Sequence, residues 1–420
     1  VEEHRRSAVG RQVTGEDPLP LPTKATHQRT REHNTKLVLR TLYEVGQISR
    51  ADIARQTHLT RTTVGDVVQQ LLDDGMVEEV GRGASSGGKA PILLRLRSDA
   101  RHVIGLDLGE ATFTGALVNL RGEVSHTIDL QVDAQDGESG LHLVESLVDR
   151  LRAAATGPVL GIGVGTPGVI DTRTGTIRWA VRLDWQDLPL GRLLEEHTGL
   201  PVYVANDSQA AALAEYAFGG HGPRLANQVV VKVGKGVGAG IVVGGRLYQG
   251  DGFGAGEIGH LGVVDDGAAC RCGRFGCLET VASADAVVRR ARELAREDRT
   301  SLLATAARSR KGMTLRDVRV AFEQDDPAAR TAVMEAARAL GAGIAAIIGV
   351  LDIHHVALHG SVTGFGDRWL AAVRDEAARR SLGLLASEVE IDLVRLDSNL
   401  TVMGAAAMLT TAALGLELAR

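Results

Sequence analysis

Disulfides can be set aside at once. The chain has three cysteines in 420 residues, all between positions 270 and 277, so none is left to staple distant segments together. Aromatic residues are scarce at 3%, and with the abundance of Ala, Gly and Arg this reads as the composition of a GC-rich genome rather than a physical demand. No apolar run reaches the roughly 18 residues that a membrane span needs, and the first residues are charged and polar, unlike a signal peptide. The expectation is therefore a cytoplasmic protein with no membrane partner. With 44% hydrophobic and 24% charged residues and a net charge of -5, the composition is that of a globular protein rather than a basic nucleic-acid sleeve. Whole-chain charge is a poor guide, however, where a small DNA-binding unit is fused to a large acidic body. A length of 420 residues implies two to four units.

What the chain does have is concentrated around its thiols. Glu257-Ile-Gly-His260 is followed by Cys270-Arg-Cys272-Gly-Arg-Phe-Gly-Cys277-Leu-Glu279. Three thiolates and one imidazole complete a closed tetrahedral shell for Zn²⁺, and a closed shell is structural, because a catalytic zinc keeps one position for water. The competing reading is three core cysteines that happen to cluster. The combined spacing, Glu-x-Gly-His then Cys-x-Cys-Gly-x-x-Gly-Cys-x-Glu, resembles the zinc and sugar-binding signature of the ROK family (repressors, open reading frames and sugar kinases). The resemblance implies that His260, Cys270, Cys272 and Cys277 are the metal ligands. It also implies that Glu257, Glu279 and the second nitrogen of His260 face a sugar, a metal-bound imidazole needing a partner for its other nitrogen.

Residues 1–30 lack hydrophobic periodicity, carry Pro18, Pro20 and Pro22, and read as a disordered arm. From about Glu32, Leu37, Val38, Leu42 and Val45 recur at helical spacing up to Gly46. A second helix is expected at once, with Ser49 three residues before Asp52 as a capping box and Ile53 facing inward. After a turn, Thr60 caps a third helix with the apolar stripe Val64, Val67, Val68, Leu71 and Leu72. Three such helices predict a helix-turn-helix whose third helix meets the major groove, with Thr60, Arg61, Thr62 and Thr63 as the DNA-facing residues. A strand over Val77–Val80, a Gly-rich loop bearing Arg82 and Lys89, and a return strand Ile92–Leu96 make it winged, the two cations suiting a narrow minor groove. This unit, 31–98, resembles the DNA-binding domain of ROK repressors.

Beyond it the pattern alternates between strands and helices. Val103–Asp107 running into Gly109, with a return over Thr112–Asn119, resembles the hairpin that opens each lobe of the actin-like sugar-kinase fold, and Val229–Val243 repeats it. The fold class is thus an N-terminal winged helix-turn-helix followed by a two-lobed α/β actin-like, sugar kinase-like body. The lobes are expected at 99–207 with 401–420 and at 208–400, the second carrying the zinc site. By the resemblance Asp207, after Asn206 at a strand end, holds the general-base position; the other reading of this pair is a helix cap. Asn206 joins Asp207, Glu257, His260 and Glu279 as sugar-binding. Arg182 stands where the family has Asn, and an arginine there suits an anionic sugar, although pairing with Asp184 or Glu257 is the alternative.

The phosphate-binding side departs from the kinases. Asp107-Leu-Gly-Glu110-Ala-Thr112 stands for Asp-x-Gly-Gly-Thr-Lys, Gly234-Lys235-Gly-Val-Gly238 for Gly-Thr-Gly-Ile-Gly, and Leu358-His359-Gly360 for Gly-Gly-Gly. A carboxylate at 110 placed about 4 Å from a phosphate charge in a partly buried site costs about 4 kcal/mol. The reading is a sugar-responsive repressor of carbohydrate genes, not an enzyme, with Asp207 vestigial. Its partners are a palindromic double-stranded operator, a sugar or sugar-phosphate effector, and a second copy in a homodimer or homotetramer. The alternative is a bifunctional hexose or hexosamine kinase that also binds DNA.

Overall fold

Two short polar residues start the second and third helices of the N-terminal head. The Ser49 hydroxyl accepts from the Asp52 N–H and the Thr60 hydroxyl from the Thr63 N–H, each satisfying a donor that the first helical turn leaves open. The computed structural model describes residues 27–84, 90–109, 111–132, 137–180, 183–220, 225–309, 312–396 and 399–415. In the head these form α1 (His27–Val45), β1 (Gln47–Ser49), α2 (Arg50–Thr57), α3 (Arg61–Asp73), β2 (Val77–Arg82) and β3 (Ile92–Leu96). The strands make an antiparallel sheet in the order β1-β3-β2, with Ile48 opposite Leu94 and Val77 opposite Leu96.

Two details differ from the sequence reading. Helix α1 begins at His27, inside the arm drawn to residue 30; residues 1–26 lie outside the described residues, as does the wing tip 85–89 with Lys89. The second helix does not follow the first at once, because β1 intervenes. A three-residue strand is too short for alternation to reveal it.

The head does not close its core alone. Val38, Leu42, Ile53, Val64, Val68, Leu71 and Leu94 cluster with two residues from far along the chain, Leu120 and Leu414, both fully buried. Arg121, next to Leu120, sets its guanidinium carbon 4.3 Å from the centre of the Tyr43 ring on α1.

The first lobe contains β4 (His102–Leu108), β5 (Thr112–Asn119), β6 (Val124–Gln131), α4 (Gly137–Ala154), β7 (Val159–Thr166), β8 (Val169–Asp171), β9 (Thr176–Ala180), β10 (Trp185–Leu188), α5 (Leu190–Thr198) and β11 (Val202–Asn206). Its main sheet runs β11-β7-β4-β5-β6, and β8, β9 and β10 form a small separate sheet that the sequence reading did not foresee. From α6 (Asp207–Phe218) the chain enters the second lobe: β12 (Gln228–Val233), β13 (Val237–Val243), β14 (Arg246–Tyr248), α7 (Glu279–Ala282), α8 (Ala284–Glu297), α9 (Ala304–Arg308), α10 (Leu315–Glu323), α11 (Pro327–Leu351), β15 (His355–His359), α12 (Asp367–Arg380), α13 (Gly383–Ala386) and β16 (Glu390–Leu393). Its sheet runs β14-β13-β12-β15-β16. Both expected hairpins are present, as β4–β5 and β12–β13.

The last helix, α14 (Leu400–Leu414), returns to β4 and β7 of the first sheet, as expected. It packs along α6, and Gly404 permits the approach: a Cβ there would lie 1.7 Å from the Ala210 carbonyl oxygen. Ala211, Ala212 and Ala214 of α6 share a core with Val230, Val242 and Leu400, so this helix pair sits between the sheets. Helix α11 alone among the described helices is long and apolar enough to cross a membrane by length and composition. Its Val333, Leu340 and Ile344 instead pack with Val287 and Trp369 in the core of the second lobe, which accounts for its apolar character.

Candidate functional site

Parallel strands deliver their carboxyl ends to one edge of a sheet, and ligands gather where such edges face each other. Here the ends of β7 and β11 meet the glycine-rich β12–β13 turn and the cysteine loop around a cavity of about 420 Å³, within the range that small-molecule ligands fill. Asn206, Asp207, Glu257, His260 and Glu279 all line it. The structure thus brings together five of the expected sugar-facing residues from three stretches of sequence.

They are not equally available. Asn206 caps α6: its Oδ1 accepts from the N–H groups of Ser208 (2.9 Å) and Gln209 (3.3 Å), and its Nδ2 donates to the Gly168 carbonyl at 2.9 Å. The capping reading of this residue is therefore realised, and its amide ties α6 to the cavity wall. Asp207 accepts from the Ser208 N–H through Oδ1 at 2.7 Å and from the Lys232 ammonium through Oδ2 at 2.8 Å. Burial opposes its ionisation, but Lys232 and the Ser208 hydrogen bonds hold it below the usual carboxylate range. Burial likewise works against charge on Lys232, and Asp207 and Asp107 outweigh it, holding the ammonium above the ordinary lysine value. Asp107 is pushed up by burial, Lys232 pulling the other way, and its Oδ1 has no hydrogen-bond partner. His359, opposite Lys232 in the β12–β15 pairing, falls to about 4 through burial and then the Lys232 charge, and is neutral at physiological pH.

The four expected metal ligands also meet. One ligand atom from each of His260, Cys270, Cys272 and Cys277 lies within 4.8 Å of every other, with His260 Nδ1 3.6 Å from the Cys270 sulfur and the Cys272 and Cys277 sulfurs 3.7 Å apart. Such a cluster could hold one metal ion. The imidazole turns its other nitrogen away from the sulfurs, 3.7 Å from a Glu257 oxygen. Glu257 is raised to about 7 by burial and then by the neighbouring Asp207 and Glu279 charges. Glu279, the first residue of α7, accepts the Val237 N–H at 3.1 Å, and so fastens the cysteine loop to the start of β13.

On the head, Arg61 and Thr62 are exposed at the start of α3 and Arg82 at the end of β2. Thr60 and Thr63 share a 2.8 Å hydroxyl contact as well as the cap itself. Much of their hydrogen-bonding capacity is therefore spent on starting the helix. Arg50, at the start of α2, pairs with Glu79 at 3.1 Å. Three positions that the sequence reading weighed, Lys89, Glu110 and Arg182, lie outside the described residues.

The sequence reading did not single out every cavity residue, Lys232 and Trp179 among those missed. Lys232 sits inside an apolar strand, Val229-Val-Val-Lys-Val233, and a charge in such a run was the available signal. Trp179 lines the cavity while remaining 50% exposed. It lay within a quoted stretch without being singled out.

The sequence pattern of the ROK family matches residues 103–412, and that of a winged helix-turn-helix DNA-binding domain matches residues 31–78. A putative xylose repressor of Caldicellulosiruptor sp. (strain Rt8B.4) is 33% identical over 391 residues, covering 91% of this chain and 96% of its own. A glucokinase of Halalkalibacterium halodurans is 35% identical over 311 residues, covering 72% of this chain and 93% of its own. Among solved structures, a ROK family transcriptional regulator described as a homolog of the E. coli MLC protein superposes with a TM-score of 0.80 at 28% identity, covering 93% of this chain and 98% of that one. The regulators extend over the head, whereas the kinase match is confined to a smaller share of the chain.

Proposed function

The chain belongs to the ROK family, and from that premise we propose that it is a sugar-responsive repressor of carbohydrate genes whose kinase-like body binds an effector and has lost phosphoryl transfer. The observation that carries the loss is the ion pair between Lys232 and Asp207, 2.8 Å long. A general base must accept a proton from its substrate, and a carboxylate that already accepts from the Lys232 ammonium and two Ser208 donors is a weak proton acceptor. A divalent metal with a nucleotide would have to approach the same carboxylates against the Lys232 charge. The division into a head at 31–98, which α1 extends back to His27, and lobes at 99–207 with 401–420 and at 208–400 belongs to this proposal.

Zinc is the metal that suits the cysteine loop. With Zn–S bonds of about 2.3 Å and a Zn–N bond of about 2.0 Å, the edges of a tetrahedron come to roughly 3.8 Å between sulfurs and roughly 3.5 Å between sulfur and nitrogen. The 3.7 and 3.6 Å separations fit a structural ion held by His260, Cys270, Cys272 and Cys277. Its chemistry is to deprotonate the thiols and fix the loop that carries Glu257, His260 and Glu279 to the cavity.

Arg61, Thr62 and Arg82, together with Thr60, Thr63 and Lys89, are the proposed DNA contacts, made by a homodimer or a homotetramer on a palindromic operator. Such a regulator works in the cytoplasm. Sugar bound by Asp207, Glu257, His260 and Glu279, with Asn206 holding the wall and Arg182 a further sugar contact by the family resemblance, shifts the body between forms that space the heads differently. A hundredfold change in operator occupancy needs about 2.7 kcal/mol of difference in sugar affinity between those forms. The glucokinase relative favours a second reading, a bifunctional kinase. One experiment separates them: a panel of D-xylose, D-glucose, N-acetyl-D-glucosamine and their 6- or 5-phosphates is assayed for ATP turnover and for release of operator DNA. Release without turnover supports the repressor; turnover at ordinary kinase rates refutes it.

A further inference from the structure

Trp179 is the one tryptophan of three with a large exposed surface: it is 50% exposed, against 4% for Trp185 and 1% for Trp369. It lies on β9, the middle strand of the small sheet, opposite Val169 on one side and Gln186 on the other, and it borders the same cavity as Glu257, His260 and Glu279. Other apolar side chains are as exposed, Phe275 and Val350 among them; what sets Trp179 apart is that it borders a cavity, so its indole offers apolar surface to whatever fills that space.

The wall beneath it is closely packed. Gly168 adopts φ +107°, and a Cβ there would stand 2.2 Å from the Trp179 carbonyl oxygen, so only glycine allows β9 to lie this close. The Gly168 carbonyl in turn accepts from Asn206, the residue that caps α6. Trp179 is thereby fixed relative to the helix that starts with Asp207.

Elsewhere the cavity lining is rich in polar and charged groups, among them Asp207, Lys232, Lys235, Glu257, His260, Arg271 and Glu279. An aldopyranose has the matching two-sided chemistry, with a rim of hydroxyls that exchange hydrogen bonds with such groups and faces of axial C–H bonds that pack on a flat apolar ring. We propose that the Trp179 indole is the platform on which the effector's pyranose ring stacks, making Trp179 a specificity-determining residue that selects cyclic sugars over open-chain polyols bearing the same hydroxyls. The proposal rests on the sugar-responsive reading above.

The test uses the full-length protein with D-xylose, D-glucose and N-acetyl-D-glucosamine as probes and their alditols as open-chain comparators. Thermal shift and intrinsic fluorescence are followed in the wild type, Trp179→Phe and Trp179→Ala. In the wild type at least one sugar should stabilise the protein and change its tryptophan emission, and the matching alditol should need at least tenfold more ligand. Trp179→Ala should raise the half-saturating sugar concentration at least tenfold, and Trp179→Phe by no more than about threefold. The emission change should vanish in Trp179→Phe while the thermal shift persists, because the other two tryptophans are buried. Half-saturation in Trp179→Ala within about twofold of wild type, or an emission change that survives in Trp179→Phe, overturns the platform and leaves the sugar reading intact. A wild type stabilised by none of the probes removes both.

Discussion

Arg121 stacks on Tyr43, with the guanidinium carbon 4.3 Å from the ring centre, and thereby joins the turn after the first lobe's second strand to the first helix of the head. Burial raises the Tyr43 hydroxyl above its ordinary value and Arg121 moderates the rise, so the ring is neutral at physiological pH. Cation–π contacts of this kind contribute about 1 kcal/mol. Arg121→Ala should therefore lower unfolding stability by about that amount and Arg121→Lys by less, as read from urea midpoints at constant slope. An unchanged midpoint in Arg121→Ala would remove this contact from the seam.

The metal prediction concerns stoichiometry and consequence together. Elemental analysis of the purified protein should find one zinc per chain, and Cys272→Ser should lose the ion and with it the sugar-induced thermal shift. A closed shell tolerates the loss of a thiolate poorly, because its binding free energy is coupled to local folding. Fully folded protein without zinc would contradict the proposed ligand set.

The Lys232–Asp207 pair makes a pH prediction. Removing one partner of a largely buried pair leaves an unmatched charge, so Lys232→Met should cost about 3 kcal/mol, and adding Asp207→Asn should recover part of it. Asp207 is lowered on folding from 3.8, so its contribution is present above about pH 4 and is lost as the pH falls through the lower folded value. The stability difference between wild type and the double variant should accordingly be level from pH 5 to 8 and shrink in acid. Growth of that difference below pH 4 would show that the carboxylate is not the stabilised partner.

On DNA, the two exposed arginines should separate by kind of contact. Arg61→Ala at the start of the third helix should weaken specific binding by about 1 to 3 kcal/mol and relax preference at one base position. Arg82→Ala on the wing should weaken all sequences alike and flatten the salt slope by about one unit. Footprints without dyad symmetry would count against a two-fold dimer.

What could be read from the sequence was local. The cluster that could hold a metal spans residues 260 to 277, and the caps of α2 and α3 lie three residues from their donors, so both show in short stretches of sequence. Lys232 and Asp207 are 25 residues apart and meet only because a strand of the second sheet runs past the start of α6. Asn206 belonged to two patterns at once, sugar contact and helix cap, and the carbonyl of Gly168 that engages its amide is 38 residues away. Leu120 and Leu414 carry no local sign that they complete a core begun at Val38; an aliphatic residue in an apolar run fits any interior equally well.

That borrowed pair of leucines bears on how such chains can be recombined. A head excised near residue 98 would leave behind Leu120 and Leu414, both fully buried in its core, and expose the pocket they fill. Grafting it onto a foreign body would succeed only where the recipient offers side chains of similar volume at both places. Exchange of DNA specificity between relatives is therefore easier through the exposed face of the third helix than through transfer of the whole head, which needs a substitute for the Leu414 end of a helix otherwise packed on α6 and the first sheet.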